Sequence, residues 1–439
     1  MKRLCAIVLC GLTLVSAMPA GIAQSTTDNS KLKFSLVFIR HGVRSPTKAN
    51  TAYAPYAVDA WPDWPVDPGD LTPYGQQLMT LLGSYYSQYF TAQGILTGNE
   101  QQDANRIYFY ADNAERTLAS AAGLVSGMLP TVGADVTSFA TGQNDPLFFP
   151  VKVGLGNPDF TLAAAALNGR LGSNPGAMTT ANNLQFALLE SALLNVPLET
   201  AETNPAVTSG SATSVQAIPL TVTASTASSI VGFSGSVDTA STLTEIFLLE
   251  YANGMPDSQV GWGRVSHDQI AQLTQLHTLD FDLTDRTPYF AQTQGSNLLL
   301  HIKNTLDQAA HGLSVDHAIG SPKNKVVMLV GHDDQLASVG GLLHANWQLP
   351  TFAWNDTPPG GAMVFELRQQ PNGEDFVRLY YLCQTLDQMH NATPLSLQTP
   401  PVTAPIFIPG ASGPDAYFDA PLAEFNKVVD QNIDLRYTN

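Results

Sequence analysis

Three stretches of the sequence combine cationic, imidazole and carboxylate side chains in a pattern that suits phosphate chemistry. They are "FSLVFIRHGVRSPTK" from residue 34, "YFYADNAERT" from residue 108 and "VMLVGHDDQLA" from residue 327. Guanidinium groups bind phosphate oxygens through paired hydrogen bonds. Three arginines and a histidine could therefore neutralise a phosphate dianion and the charge of its transition state. The candidate phosphate-binding residues are Arg40, Arg44, Arg116 and His332.

Two further residues in these stretches have the chemistry to transfer a phosphoryl group. A neutral imidazole at His41 could attack phosphorus and form a phosphohistidine. Asp333 could protonate the leaving alkoxide, because an unprotonated alcohol is a poor leaving group. Water would then cleave the phosphohistidine. A catalytic aspartic acid that must carry a proton favours activity at acid pH.

Motifs of several other reaction types are absent from the sequence. There is no H-E-x-x-H, no cysteine pair and no packed His/Asp run that would suggest metal ligands. The G-x-x-x-x-G-K-[ST] loop of nucleotide-driven transferases and the G-x-S-x-G turn of serine hydrolases are also missing. The sequence therefore predicts chemistry that needs no metal ion and no cofactor.

Each stretch overlaps an apolar run that is typical of a strand buried on both faces of a sheet. The runs cover residues 34–39, 106–111 and 325–330. The charged and imidazole side chains that follow each run form three clusters. Because ligands bind outside the carboxyl ends of strands in open α/β sheets, neighbouring strands would bring these three clusters together. Taken singly, each cluster also has an ordinary explanation as a solvated strand end, a helix-capping pair or an exposed helix residue.

Strand and helix patterns alternate along much of the chain, which indicates an α/β fold with a largely parallel sheet. A helical middle interrupts this alternation and suggests an inserted second domain. We expect residues 30–155 and 284–439 to form the α/β domain and residues 156–283 to form a smaller, mostly helical domain. Residues 201–241 are rich in Ser, Thr, Ala and Gly, and we predict a loop or irregular segment there.

The N-terminus has the pattern of a secretory signal peptide, with Lys2 and Arg3 before an apolar stretch and small residues around Ala23. The apolar run is shorter than the ~20 residues that a membrane anchor needs. We therefore expect residues 1–23 to be removed and the protein to be periplasmic or secreted. Of three cysteines, only Cys383 lies beyond this segment, so no internal disulfide is expected in the mature chain.

The charge balance limits the possible partners. The chain has 20 basic and 37 acidic side chains, for a net charge of −17. Such an acidic surface argues against nucleic acid and anionic membranes as partners. In so acidic a chain, the three basic residues within positions 40–48, Arg40, Arg44 and Lys48, are a stronger indication of an anion-binding site. We expect a small-molecule phosphomonoester as the partner, and a monomer.

The three clusters together resemble the histidine acid phosphatases. "RHGVRSP" matches their R-H-G-x-R-x-P signature, "GHDDQLA" resembles their second H-D motif, and "ADNAERT" resembles the segment with their third arginine. Stretches such as "DAWPDWPV", "LTEIFLLEYANGMP" and "NDTPPGGAMVFE" look like the bacterial periplasmic phytases of that family. The resemblance runs along almost the whole mature chain. It implies a phosphoglycerate-mutase-like α/β domain, an inserted α domain and a cleft between them.

The resemblance also implies roles for individual residues. His41 would be the nucleophile and Asp333 the proton donor, with the phosphate held as described above. The substrate would be myo-inositol hexakisphosphate (phytate), since "R-x-P-T-K" is the phytase form of the signature. The residues that the resemblance adds to the substrate pocket are Thr47, Lys48, Asp112 and Glu245.

This sequence departs from the family pattern in two ways. The bacterial phytases usually carry several disulfides, which this mature chain cannot form. Asp334 and Gln335 stand where relatives commonly have Thr or Ser and Asn. An extra carboxylate beside the acid could raise its pKa or repel a polyanionic substrate. The histidines outside the motifs, such as His267, His277 and His344, are expected to be structural.

Several alternatives stay open at this point. A glucose-1-phosphatase or a broad-specificity acid phosphatase of the same family would share every motif except the phytase form of the signature. A non-catalytic phosphate-binding protein would keep the cations, although the presence of both His41 and Asp333 argues against it. A phosphomutase is less favoured, because export would separate it from phosphorylated sugar intermediates.

Overall fold

The computed structural model describes residues 28–172, 174–225 and 230–439. The predicted signal peptide, residues 1–23, lies outside the described residues. Within the described ranges, no helix has both the length and the apolar character needed to cross a membrane.

Strands and α-helices are numbered here in chain order. The strands are β1 (Lys31–Arg40), β2 (Ile107–Ala111), β3 (Val136–Thr137), β4 (Thr221–Ala224), β5 (Val231–Ser234), β6 (Val326–Gly331), β7 (Ala362–Gln369), β8 (Asp375–Cys383), β9 (Val402–Pro405) and β10 (Ala420–Pro421). The helices are α1 (Pro73–Ala92), α2 (Glu100–Asp103), α3 (Glu115–Met128), α4 (Phe160–Leu171), α5 (Gly176–Ala181), α6 (Asn183–Leu194), α7 (Leu198–Thr203), α8 (Ser236–Ala252), α9 (His267–Thr284), α10 (Pro288–His311), α11 (Asp333–Leu342), α12 (Leu386–His390) and α13 (Leu422–Asn432).

One mixed sheet organises the molecule, with strand order β10-β8-β7-β1-β6-β2-β3 and β9 paired to β8. Strands β1, β6, β2 and β3 pair in parallel, whereas β7, β8, β9 and β10 are added by antiparallel pairing. The three apolar runs predicted as strands are the adjacent parallel strands β1, β6 and β2. The prediction of an α/β fold with a parallel central sheet is therefore confirmed, and the antiparallel strands form the other half of the sheet.

Strand β1 is buried on both faces, as its continuous apolar sequence predicts. Leu36 and Phe38 pack into one hydrophobic core, and Val37 and Ile39 pack into the other. Helices α1 and α3 contribute to the second core, whereas α8, α9, α10 and α11 contribute to the first. This layering holds the carboxyl ends of the central strands in a fixed position, because side chains anchor each strand from above and below.

The middle of the chain is mostly helical, with α4 to α9 between Phe160 and Thr284. The prediction for residues 201–241 was wrong in part. Strands β4 and β5 form a two-stranded antiparallel sheet in this segment, and helix α8 begins inside it. The β-branched and aromatic residues in "TVTA" and "VGFS" favour short strands, but the surrounding Ser, Thr and Gly conceal the pattern.

A buried carboxyl group in α8 makes the stability of the fold dependent on pH. Glu250 is fully buried, and its Oε2 accepts a hydrogen bond from the Gly261 backbone N–H at 2.8 Å. Its Oε1 has no hydrogen-bond partner among the described residues. Burial raises the pKa of Glu250 to about 8, despite the hydrogen bond from Gly261. The carboxyl group is therefore neutral in the folded protein at neutral pH.

We expect Glu250→Gln to stabilise the protein at pH 8 by ~1–3 kcal/mol and to have little effect at pH 4. The folded pKa lies above that of the unfolded chain, so the wild-type protein loses stability as pH rises between the two values. Glutamine keeps the acceptor for Gly261 but cannot ionise in the unfolded state. Chemical denaturation at both pH values measures the difference, with the exposed Glu199→Gln as a control. Equal effects at the two pH values would contradict the expectation.

Candidate active site

Backbone pairing brings the ends of β1, β6 and β2 together. Arg40 lies opposite Gly331 in the β1–β6 ladder, and the His41 N–H donates to the Gly331 carbonyl at 3.0 Å. The Asp112 N–H donates to the Val330 carbonyl at 3.0 Å. The three clusters predicted from sequence therefore meet at one edge of the sheet.

His41 is buried, and among the described residues only one of its two ring nitrogens makes a hydrogen bond. Its Nδ1 lies 2.9 Å from the Gly42 carbonyl oxygen, which can only accept a hydrogen bond. Nδ1 therefore carries the hydrogen, and Nε2 keeps its lone pair. Burial, together with Arg40 and Arg116, holds the pKa of His41 well below its usual range. A neutral imidazole with a free Nε2 is the form that can act as a nucleophile.

The loop after β1 is held by a contact from α3. The Gly42 N–H donates to the Ser120 hydroxyl at 2.8 Å, and that hydroxyl donates to the Arg116 carbonyl at 2.6 Å. This pair of hydrogen bonds links the backbone next to His41 with the helix that carries Arg116. Ser120 was not singled out in the sequence, because a serine within a helical pattern gives no sign of such a contact.

Arg40 and Arg44 share one carboxylate, that of Glu245 in α8. Arg40 Nη2 contacts Glu245 Oε1, and Arg44 Nη2 donates to Glu245 Oε2 at 2.8 Å. Arg40 is fully buried. Burial opposes its charge, but the carboxylates of Asp333 and Glu245 outweigh this and raise its pKa. Burial likewise opposes the charge of Glu245, yet Arg44 and Arg40 lower its pKa. The Glu245 carboxylate therefore holds both guanidinium groups in place.

Arg116, His332 and Asp112 form a second chain of hydrogen bonds. Arg116 Nη2 lies 3.2 Å from His332 Nδ1, and His332 Nε2 lies 2.8 Å from Asp112 Oδ2. A guanidinium only donates, so His332 Nδ1 accepts and its Nε2 donates to Asp112. The His332 ring lies 5.5 Å from that of His41, centroid to centroid. The sequence prediction placed Asp112 near the pocket, and here its carboxylate orients His332.

Asp333 begins helix α11 and contacts the first arginine. Its Oδ2 lies 2.7 Å from Arg40 Nη2, and its side chain is 15% exposed. Burial disfavours the charge, but Arg40 outweighs it and lowers the pKa of Asp333. The carboxylate is therefore ionised in the free protein. An anion that draws Arg40 away would weaken this pairing and raise the pKa of Asp333.

Thr47 and Lys48 lie apart from this buried cluster. Both side chains are exposed, and the Lys48 N–H donates to the Tyr53 hydroxyl at 3.1 Å. Lys48 lines a cavity of about 140 Å³ together with Ser45, Asn50 and Trp64. Their exposure allows Thr47 and Lys48 to meet a substrate group beyond the cluster. Lys48 also opposes the rise in the pKa of Asp238 that burial causes.

Several carboxyl groups on or next to α8, α9 and α11 interact with one another, and two of them, Asp334 and Asp285, also interact with Asp333. Burial and the neighbouring Asp333 raise the pKa of Asp334, although His332 opposes the shift. Burial and Asp334 raise the pKa of Asp285 well above its usual range. Burial and Asp238 raise the pKa of Asp280 to about 7. This side of the site therefore gains negative charge as pH rises.

Besides Ser120, the sequence analysis missed two further contributors to the site. His277 in α9 was expected to be structural, yet a ligand atom of its ring lies within 4.8 Å of carboxylate oxygens of Glu245 and Asp333. The Thr357 carbonyl accepts from Arg40 Nη1 at 2.6 Å. Thr357 belongs to the "NDTPPGGA" stretch, which the resemblance to phytases had marked without a role.

The sequence matches the family model described as histidine phosphatase superfamily (branch 2) over residues 31–382. Phytase AppA of Escherichia coli K12 is 34% identical over 426 residues, which cover 95% of this chain and 96% of that protein. A glucose-1-phosphatase of Salmonella typhimurium is 28% identical, covering 98% of both chains.

Two solved phytase structures are similar to this chain over nearly its whole length. The Hafnia alvei phytase in complex with tartrate has a TM-score of 0.83 at 32% identity and covers 94% of this chain and 99% of its own. The same phytase in complex with myo-inositol hexakis sulphate has a TM-score of 0.82 with the same coverage.

Proposed function

We propose, from the premise that this chain belongs to the histidine phosphatase superfamily (branch 2) and is a phosphomonoester hydrolase, that it is a phytase. The observation that carries this proposal is the buried His41 with a free Nε2 beside three arginines. Similarity to phytase AppA and to the Hafnia alvei phytase supports phytate as the substrate. The exposed Lys48 adds a cation outside the buried cluster, which favours a substrate with several phosphates.

In the proposed reaction, His41 Nε2 attacks the phosphorus while the bond from phosphorus to the ester oxygen breaks. Arg40, Arg44 and Arg116 hold the phosphoryl oxygens, and His332 donates to one of them after leaving Asp112. Asp333 gives its proton to the departing alkoxide. Water then attacks the phosphohistidine and returns a proton to Asp333, the N–P bond breaks, and inorganic phosphate leaves.

The binding of substrate explains how an ionised Asp333 can become the acid. The phosphate dianion competes for Arg40, which now stabilises the Asp333 carboxylate. The added negative charge and the loss of Arg40 both favour the protonated form. Asp333 is therefore protonated once the phosphate group of the substrate is bound.

A glucose-1-phosphatase is the second candidate function. The similarity to the Salmonella typhimurium enzyme over nearly the whole chain favours it. The carboxyl groups around Asp334 also disfavour a polyanion at higher pH. A phosphate-binding protein without activity is the outcome if no substrate is turned over.

We further propose that residues 30–155 and 284–439 form one domain and residues 156–283 the inserted domain. The sheet strands of the first set and the helices of the second support this division.

We also propose export after cleavage near Ala23, on the basis of the N-terminal sequence pattern. We expect a monomer.

The experiment that tests the function compares three substrates. Phosphate release from phytate, glucose 1-phosphate and p-nitrophenyl phosphate is measured at acid pH with a chelator present. A preference for phytate supports the proposal, and a preference for glucose 1-phosphate moves the protein to the second candidate. Tight phosphate binding without turnover of any substrate would refute both enzymatic functions.

We expect Asp334→Asn to increase kcat/KM for phytate about 3-fold or more relative to p-nitrophenyl phosphate, because it removes a like charge near the substrate. The raised pKa of Asp334 means that its charge appears only as pH rises. The effect should therefore be larger at pH 7 than at pH 4. Steady-state kinetics at both pH values measures it, with Asp316→Asn, at an exposed position, as a control. A constant ratio across pH would contradict the expectation.

A further inference from the structure

The cluster of Glu245, His277 and Asp333 has the donor set of a transition-metal site. One oxygen from each carboxylate and one ring nitrogen of His277 all lie within 4.8 Å of one another. Mixed imidazole and carboxylate donors suit Zn²⁺, Cu²⁺ and Ni²⁺, whereas Mg²⁺ prefers six oxygen ligands. The side chains come from α8, α9 and α11, so the packing of three helices holds the donors together.

The state of the His277 ring supports this assignment independently. His277 is 3% exposed, and its Nδ1 lies 3.0 Å from the Ser241 hydroxyl. Its Nε2 is buried and has no hydrogen-bond partner among the described residues. A buried ring nitrogen without a partner is costly, and coordination to a metal would satisfy it. The contact of Nδ1 with Ser241 would fix the ring orientation, as outer contacts of metal-bound histidines commonly do.

We propose that Glu245, His277 and Asp333 form an inhibitory binding site for a divalent transition-metal ion, for which Zn²⁺ is the probe. Zinc bonds of ~2.0–2.2 Å separate neighbouring ligand atoms by roughly 3.3 Å, so the three side chains must close by up to about 1.5 Å. Side-chain rotation supplies such a movement. A tetrahedral zinc ion with three protein ligands would keep its fourth position for water or a phosphate oxygen.

Metal binding at this site depends on whether Arg40 and Arg44 are paired with its carboxylates. Arg40 contacts both carboxylates and Arg44 contacts Glu245, so the negative charge is compensated in the free protein. A bound phosphate or substrate would attract these guanidinium groups and leave the carboxylates available. The metal and the oxyanion therefore bind cooperatively, and each raises the affinity of the other by the same factor.

The consequence for activity follows from the proposed role of Asp333. A metal-bound carboxylate is ionised and has no proton to give to the leaving group. Zn²⁺ would therefore lower kcat rather than compete with substrate. The inhibition rests on the proposed function, whereas binding of the metal rests only on the geometry.

The test uses glucose 1-phosphate, because phytate itself chelates metal ions and p-nitrophenolate leaves without a proton from Asp333. At about pH 6.5 we expect ~100 µM Zn²⁺ to lower kcat about 10-fold. EDTA should restore the rate, and the same concentration of Mg²⁺ should have no effect. His277→Gln should require at least ~10-fold more Zn²⁺. His301→Gln is the matched control, because His301 lies in α10 with its ring against His317.

Binding is measured separately from activity with Co²⁺. The wild-type protein with phosphate should develop the visible absorption of four-coordinate Co²⁺, and both His277→Gln and Asp333→Asn should lose it. Equal Zn²⁺ inhibition of the wild-type and His277→Gln proteins would overturn the proposal. So would an unchanged Co²⁺ spectrum in both variants, or inhibition that only raises KM. If the protein hydrolyses no substrate, the proposed function fails, while the Co²⁺ titration still decides the metal site.

Discussion

Replacing His41 with alanine is expected to lower kcat by at least ~10³-fold on every phosphomonoester tested. The reason is that Nε2 of His41 keeps the lone pair of a neutral imidazole, which alanine cannot supply. The His332 ring also lies in the site, but both of its nitrogens are engaged, by Arg116 and Asp112. Steady-state assays measure the loss. Rapid acid or base quenching with radiolabelled substrate measures whether a phosphoenzyme forms.

The phosphoenzyme distinguishes a lost nucleophile from a damaged fold. Wild-type protein should yield acid-labile, base-stable labelled protein, and His41→Ala should yield none while still binding phosphate. His301→Ala serves as the control for loss of a partly buried histidine elsewhere in the fold. Labelled His41→Ala protein would mean that another residue attacks phosphorus.

Replacing Asp333 with asparagine is expected to lower kcat for phytate by ~10²–10⁴-fold, the usual contribution of a general acid. Asparagine keeps the shape of the side chain but has no proton to donate. The loss should be much smaller for p-nitrophenyl phosphate, because p-nitrophenolate leaves without protonation. The comparison of the two substrates in the same variant measures the contribution of proton transfer.

The pH profile gives a second test of the same residue. Arg40 lowers the pKa of Asp333 in the free protein, and we expect bound phosphate to raise it. Activity that needs protonated Asp333 falls as pH rises through its pKa. The fall in kcat/KM should therefore lie at lower pH than the fall in kcat. Asp333→Asn should lose the alkaline fall in kcat, whereas Asp334→Asn should keep it. A fall that persists in Asp333→Asn would assign it to another group.

The sequence predicted the central strands and the cluster at their ends because each depends on local patterns. The apolar runs of β1, β6 and β2 are continuous and short, which favours strands in a buried sheet. The runs of β1 and β6 are fully buried, whereas Tyr108 and Tyr110 of β2 are partly exposed. The charged residues that follow are placed by strand register, so their convergence needed no knowledge of the loops. Glu245 came only from the resemblance, since an isolated glutamate in a helix has no local signal.

The missed features depend on tertiary contacts. His277 lies on the face of α9 that also carries Ile270 and Leu273, so its spacing is that of an ordinary core position. Only the packing of α9 against α8 and α11 brings the ring near Asp333. The β4–β5 pair was missed because two short strands in a Ser/Thr-rich segment give little periodicity.

The position of β6 in the sheet determines when this protein can become active. Strands β1 and β2 do not pair with each other, because β6 lies between them and arrives from more than 200 residues later in the chain. While the ribosome is still translating the middle of the protein, His41 lacks His332 and Asp333, and two strand edges are open. The newly made polypeptide is therefore inert until its C-terminal third has emerged and folded. Folding that depends on such distant contacts is slow, so hydrolysis begins only after a delay that follows the synthesis of the chain.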